Sequence, residues 1–166
     1  MDLSILTEKE LIELYGACTK EMKSRGIART NAITGELGEH IVVEFFNSSN
    51  DLPKLSLVDT GVQGYDAYDR KGKRYSIKTC TGNTTGGFFS LNDKGVQIIK
   101  NQEFDFVIVC KLTKDFELES IYQLDWEAFN KHKKWAKSIG TWNLTLTKKM
   151  IADSIILFNK QAEAER

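Results

Sequence analysis

Apolar positions recur at helical spacing in two stretches near the start of the chain, then alternate or run together in shorter stretches. Residues 7 to 24 read as an amphipathic helix, with Leu11, Leu14, Tyr15, Cys18 and Met22 on one stripe. Thr7 and Glu10 form a capping box at its start, and Gly26 ends it. The stripe is expected to pack into the core. A second helix is predicted from about Thr30 to Asn47. Ile33, Leu37, Ile41 and Phe45 line one face, Val42 and Phe46 widen it, and Val43 makes the helix apolar nearly all round, as for a helix packed on more than one side. At about 100° per residue, Glu39 falls between Phe46 and Val43 and away from the polar His40 and Asn47. A carboxylate among apolar neighbours is costly without a partner, and a metal ion is one such partner. Glu36 lies one turn earlier, nearer the polar edge, where solvation or pairing with Lys or Arg is the simpler reading.

The polar run 47–53, with Pro53, breaks both periodicities and reads as a loop. Leu55 to Asp59 is a short strand, and residues 60–64 are a turn. A hairpin follows. Asp69-Arg70-Lys71-Gly72 suits a type I turn with a left-handed glycine, which closes a three-residue loop. Asp69 then pairs with Lys73, Tyr68 opposes Arg74, and Asp66 opposes Ser76. Opposed residues share a face, as do residues two apart on one strand. Asp66, Ser76 and Lys78 therefore stand together, while Tyr75, Ile77 and Thr79 point the other way. A two-residue loop at Lys71-Gly72 would instead separate Asp66 from Lys78.

Residues 81 to 87, rich in Gly, Thr and Asn, read either as a flexible connection or as a flap that touches substrate. A short helix is expected at 91–101, through Leu91, Val96 and Ile99. Phe104 to Leu112 is a continuous apolar strand of the kind buried on both faces. Phe116 to Tyr122 suits a more exposed strand. Asp125 caps a helix through Trp126, Phe129 and Trp135. Thr141 to Leu146 is the last strand, and Ile155, Ile156 and Leu157 are taken as helical before a charged tail. The order predicts an α/β sandwich around a mixed sheet.

Composition bounds this picture. A chain of 166 residues, 41% hydrophobic and 28% charged, is expected to form a single domain. No apolar run is long enough to span a membrane and the start has no signal-like pattern, which predicts a cytoplasmic protein. Three scattered cysteines, Cys18, Cys80 and Cys110, point to free thiols and against a zinc ribbon. With 23 basic and 23 acidic residues the net charge is zero, which argues against a protein that coats nucleic acid along its whole surface. A compact metal site could still collect the acids that cancel the bases. Two histidines, and no H-E-x-x-H, Walker loop or G-x-G-x-x-G, leave little room for zinc, nucleotide or dinucleotide chemistry. A magnesium ion on Asp66 and Glu39 could polarise a phosphodiester and acidify a water, with Lys78 on the attacked phosphate.

Gly64-Tyr65-Asp66 followed by Tyr75-Ser76-Ile77-Lys78-Thr79, and preceded by Thr34-Gly35-Glu36-Leu37-Gly38-Glu39-His40, resembles the PD-(D/E)xK, or restriction-endonuclease-like, nuclease superfamily. The resemblance covers about residues 30–112 and implies an αβββαβ core with a mixed central sheet flanked by helices. Residues 1–29 would then be a helical extension, and 113–166 added strands and helices. It implies a catalytic set of Asp66, Lys78, Glu39 and Ser76, and metal contacts from Asp66, Glu39, Glu36 and Ile77 to Mg2+ or Mn2+. It further implies a DNA endonuclease of the restriction or defence kind, with DNA as partner and a homodimer as the arrangement suited to cutting both strands. One position departs from the pattern. Ser76 stands where the family carries an acid, and a hydroxyl holds magnesium less strongly. Either a helix glutamate supplies the missing charge, or the domain binds DNA without cutting it. A third reading makes Trp126, Trp135 and Trp142 a protein-interaction surface, although core packing is the simpler role for them.

Overall fold

The computed structural model describes residues 2–30, 32–91 and 101–164. It is a mixed α/β fold. Helices α1 (Glu8–Ser24) and α2 (Ile33–Ser48) come first, followed by strands β1 (Leu55–Leu57), β2 (Ala67–Asp69), β3 (Arg74–Cys80), β4 (Phe106–Leu112) and β5 (Leu118–Asp125). Helix α3 (Trp126–His132), strands β6 (Lys134–Ala136) and β7 (Thr141–Asn143), helix α4 (Lys148–Ala152), strand β8 (Ile155–Asn159) and helix α5 (Lys160–Ala164) complete the chain. Six strands form one sheet in the order β1-β2-β3-β4-β5-β8, and β6 and β7 make a separate ribbon. All pairings in the large sheet are antiparallel except β3 with β4. The helix expected at 91–101 falls almost wholly outside the described residues.

The hairpin closes as the turn chemistry predicts. The Asp69 N–H donates to the Lys73 carbonyl at 3.0 Å, and the Gly72 N–H donates back to the Asp69 carbonyl at 3.0 Å. Gly72 has φ 76°, a value only glycine adopts without strain. Asp69 is buried, and its carboxylate accepts from the N–H groups of Lys71 (2.8 Å) and Lys73 (3.0 Å). Tyr68 opposes Arg74 and Ala67 opposes Tyr75, which is the three-residue register.

That register divides β3 between two cores. Tyr75 and Ile77 pack with Val42, Phe46 and Ile108 under α2. The opposite face joins Cys80 to Phe88, Phe104, Val107, Val109, Phe129 and Trp142. Strand β4 contributes to both, with Val107 and Val109 on one side and Ile108, Cys110 and Leu112 on the other, so its unbroken apolar run is explained. Helix α2 crosses β3 closely. A Cβ at Gly38 would lie 1.8 Å from Thr79 Oγ1, so only glycine fits there.

Several expectations fail for identifiable reasons. Helix α1 has its capping box and its apolar stripe, yet none of its residues is buried. Tyr15 is 68% exposed and Leu11 39% exposed, so the stripe is not core. Ile155 to Leu157 is strand, not helix. It pairs with β5 at the edge of the sheet, and its β-branched run suits a pleat better than a turn of helix. Strand β5 is largely buried, not exposed, because β8 covers the edge it would otherwise present. Trp135 lies on β6 and not on α3, which stops at His132. Trp142 is buried, and Trp126 and Trp135 are partly buried against the same core, which is the simpler of the two roles read for them. Among the described residues no helix is long and apolar enough to cross a membrane.

The contrast between β4 and α1 is measurable. Ile108→Ala, at a position with no exposed surface, is expected to cost about 2–5 kcal/mol. Leu11→Ala is expected to cost less than about 0.5 kcal/mol. Urea denaturation of the two variants tests this. A Leu11→Ala loss as large as that of Ile108→Ala would show that α1 is packed in solution.

Candidate functional site

Asp66 sits immediately before β2, and Ser76 and Lys78 sit on β3 across from it. The Asp66 N–H donates to the Tyr75 carbonyl at 2.8 Å, which continues the hairpin ladder one residue beyond β2. Its carboxylate then turns across the gap. Oδ2 accepts from the Ile77 N–H at 2.6 Å and from the Ser76 hydroxyl at 3.3 Å. Lys78 Nζ stands 3.8 Å from the same oxygen, close enough for ion pairing but beyond a hydrogen bond, so its donors remain available to another anion. The Lys78 side chain is 22% exposed, and its ammonium lies 5.3 Å from the centre of the Phe88 ring, whose face favours a cation. The face shared by Asp66, Ser76 and Lys78 is the one the hairpin register implies.

These three residues line a cavity of about 360 Å³ whose far wall is built by Gly87, Phe88, Phe89 and Ser90. The glycine-rich segment before that wall is an ordered rim, not a loose connection. The N–H groups of Thr85, Phe88 and Leu146 donate to the carbonyls of Leu144, Trp142 and Asn83 at 2.7–2.9 Å, which ties the segment along β7 and the chain after it. Of the wall residues, Phe88 is buried in the core and Phe89 is 63% exposed. Neither was singled out by spacing or motif. A Gly-Gly pair followed by two aromatics is the signal that was available.

Glu39 reaches the same neighbourhood from α2, although it does not line the cavity. Its side chain is only 17% exposed, as its place between Val43 and Phe46 predicts. Burial, reinforced by the negative charge of Asp66, pushes its pKa above the usual glutamate value, with Arg29 and Lys78 pulling the other way. Arg29 is the residue that pattern reasoning missed. Its guanidinium donates to Glu39 at 2.6 Å and to the Val58 carbonyl at 2.9 Å, which fixes Glu39 beside the strand that leads into Asp66. A cation in the turn between two helices carries no periodic signature.

Glu36 is placed differently. It is buried, not at a polar edge, and its carboxylate accepts from the N–H groups of Thr30, at 2.8 Å, and of Arg29. Burial alone would raise its pKa, but these donors and the Arg29 charge outweigh it and hold the group below the usual glutamate value. Glu36 therefore closes the turn that delivers Arg29. Ile77 turns its side chain into the core and has only main-chain atoms to offer, of which the N–H is already given to Asp66.

Among the described residues no three His, Cys, Asp or Glu side chains cluster as a metal cage. Magnesium does not need one, because it keeps several waters and binds through one or two carboxylates together with substrate phosphates. Asp66 and Glu39 supply two hard oxygen donors whose mutual repulsion a divalent cation would relieve, and among the described residues Asp66 Oδ1 accepts no hydrogen bond. The residues fit such an ion. Compared with known proteins, the chain matches no family model and no curated sequence.

Proposed function

We propose that this chain is a magnesium-dependent DNA endonuclease with a PD-(D/E)xK-type site. The observation that carries the reading is the meeting of Asp66 and Lys78, 3.8 Å apart, at one cavity, with Glu39 brought alongside from α2. A carboxylate and a partly buried lysine at a cavity, with a second carboxylate nearby, suit a phosphodiester better than a neutral substrate. The sheet order and the flanking helices are compatible with a restriction-endonuclease-like core.

Bound there, the divalent ion would supply charge neutralisation on the phosphate and a more acidic water. The chain's own residues do the rest. Asp66 and Glu39 hold the cation. The Ile77 N–H and the Ser76 hydroxyl fix the Asp66 carboxylate through Oδ2, so that among the described residues Oδ1 accepts no hydrogen bond. Lys78, braced on Phe88, donates to a non-bridging phosphate oxygen and offsets charge as it grows in the transition state. Ser76 here orients Asp66 and carries no charge of its own, so Glu39 takes the part of the acid absent from β3.

The reading is tested by incubating the protein with plasmid DNA, methylated and unmethylated, with magnesium and with EDTA. Cutting that needs magnesium supports it. Salt-dependent DNA binding with no cutting on any substrate would favour the reading in which Ser76 marks a domain that binds DNA without cleaving it.

A further inference from the structure

We infer a second contact for DNA, a lysine-lined cleft between the end of α3 and the start of α4 that grips duplex phosphates away from the cut. It rests on the nuclease reading. The cleft, of about 440 Å³, is lined by Lys131, Lys133, Lys134, Lys148 and Lys149 with His132 among them. Asp153 bonds Lys131 and His132 at 2.6 Å each. Lys133 is held by the Asn130 side chain at 2.9 Å and lies 4.9 Å from the centre of the Trp142 ring. Lys134, Lys148 and Lys149 are exposed and, among the described residues, meet no acidic partner. In a chain with 23 bases and 23 acids, such a local excess is not a by-product of overall charge. Exposed cations that meet no acid among the described residues suit a polyanion's backbone.

Lys78 stands over Phe88, Phe88 bridges to Trp142, and Lys133 stands over Trp142. Both sites therefore lie on the same face of the sheet. From Trp142 the chain runs through the Thr84–Thr145 bridge to Thr147, which caps α4 ahead of Lys148. A duplex laid across this face is held at both points, and the lysine cleft sets its direction without reading bases.

The test measures binding of a short fluorescent DNA duplex by anisotropy over a range of salt, in calcium or EDTA to prevent cutting. The double variant Lys148→Glu/Lys149→Glu is expected to bind at least about tenfold more weakly, with the slope of log K against log salt reduced by about two. Lys134→Glu alone should lower the slope by about one. Both changes are at exposed positions, and thermal melting checks that the variants fold. Lys20→Glu/Lys23→Glu on α1 makes the same charge change elsewhere and should leave the slope unaltered. Wild-type affinity and slope in the cleft variants would overturn the inference while leaving the catalytic reading intact. So would an equal loss in the α1 control, which would reduce the effect to net charge. A wild type that binds no duplex overturns the cleft as well, and magnesium-dependent thermal stabilisation then reports on the Asp66–Glu39 site separately.

Discussion

Asp66→Asn is expected to reduce magnesium-dependent plasmid cleavage by about 10³-fold or more, which corresponds to about 4 kcal/mol of transition-state stabilisation. The substitution is chosen for what it keeps. Asparagine retains an oxygen that can accept from the Ile77 N–H, so the bond that orients the side chain survives, and the main-chain bond to Tyr75 is untouched. What disappears is the negative charge facing Lys78 and Glu39. Alanine would instead strand a part-buried N–H and confuse a folding defect with a chemical one. Lys78→Ala should lower cleavage by about 10²–10³-fold, the usual loss for one aimed donor at developing charge. The two variants should melt close to wild type. Equal cutting by wild type and both variants would show that the hairpin residues are not the catalytic ones, whatever nuclease activity the protein has.

Glu39→Gln should separate stability from function. Without a divalent ion, burial and the charge of Asp66 raise the pKa of Glu39 in the folded protein. The folded state then binds that proton more tightly than the unfolded chain does, so stability falls as pH rises from the ordinary glutamate value through the raised one. Above the raised value the penalty is complete. Glutamine carries no charge and avoids the penalty, while its side-chain oxygen can still accept from Arg29. In EDTA the variant should therefore melt above wild type at neutral pH, with the gap closing as pH falls from the raised value to the ordinary glutamate value of about 4.3. Magnesium should reverse the ranking. At about a hundred times its dissociation constant a ligand stabilises the folded state by about 2.7 kcal/mol, and the variant should gain little of this. Cleavage should fall with the lost metal site. Thermal melts across pH, with and without magnesium, provide the check, and a variant less stable than wild type at neutral pH in EDTA would count against the assigned electrostatics.

The parts of the site that were readable in advance are those set by local rules. The Asp69-Arg70-Lys71-Gly72 turn has one register that satisfies its own residues, and that register alone aligns Asp66 with Lys78. Helical rotation put Glu39 among apolar neighbours, and the folded chain keeps it there. Arg29 and the burial of Glu36 were unreadable, because both depend on how the turn between α1 and α2 folds back on the helix it precedes. Ile155 to Leu157 is too short an apolar run for periodicity to tell strand from helix, and the free edge of β5 decided it. The stripe on α1 shows a different limit. Amphipathicity says that a face favours cover, and it does not say that the chain's own core provides it.

The most direct test is a crystal of the protein soaked in manganese and measured for anomalous scattering. The account predicts a peak about 2.1 Å from an Asp66 carboxylate oxygen, with Glu39 beside it directly or through a water and Lys78 facing the open side. Manganese bound at other carboxylates, such as Asp69 or Asp105, with nothing between Asp66 and Glu39, would contradict it.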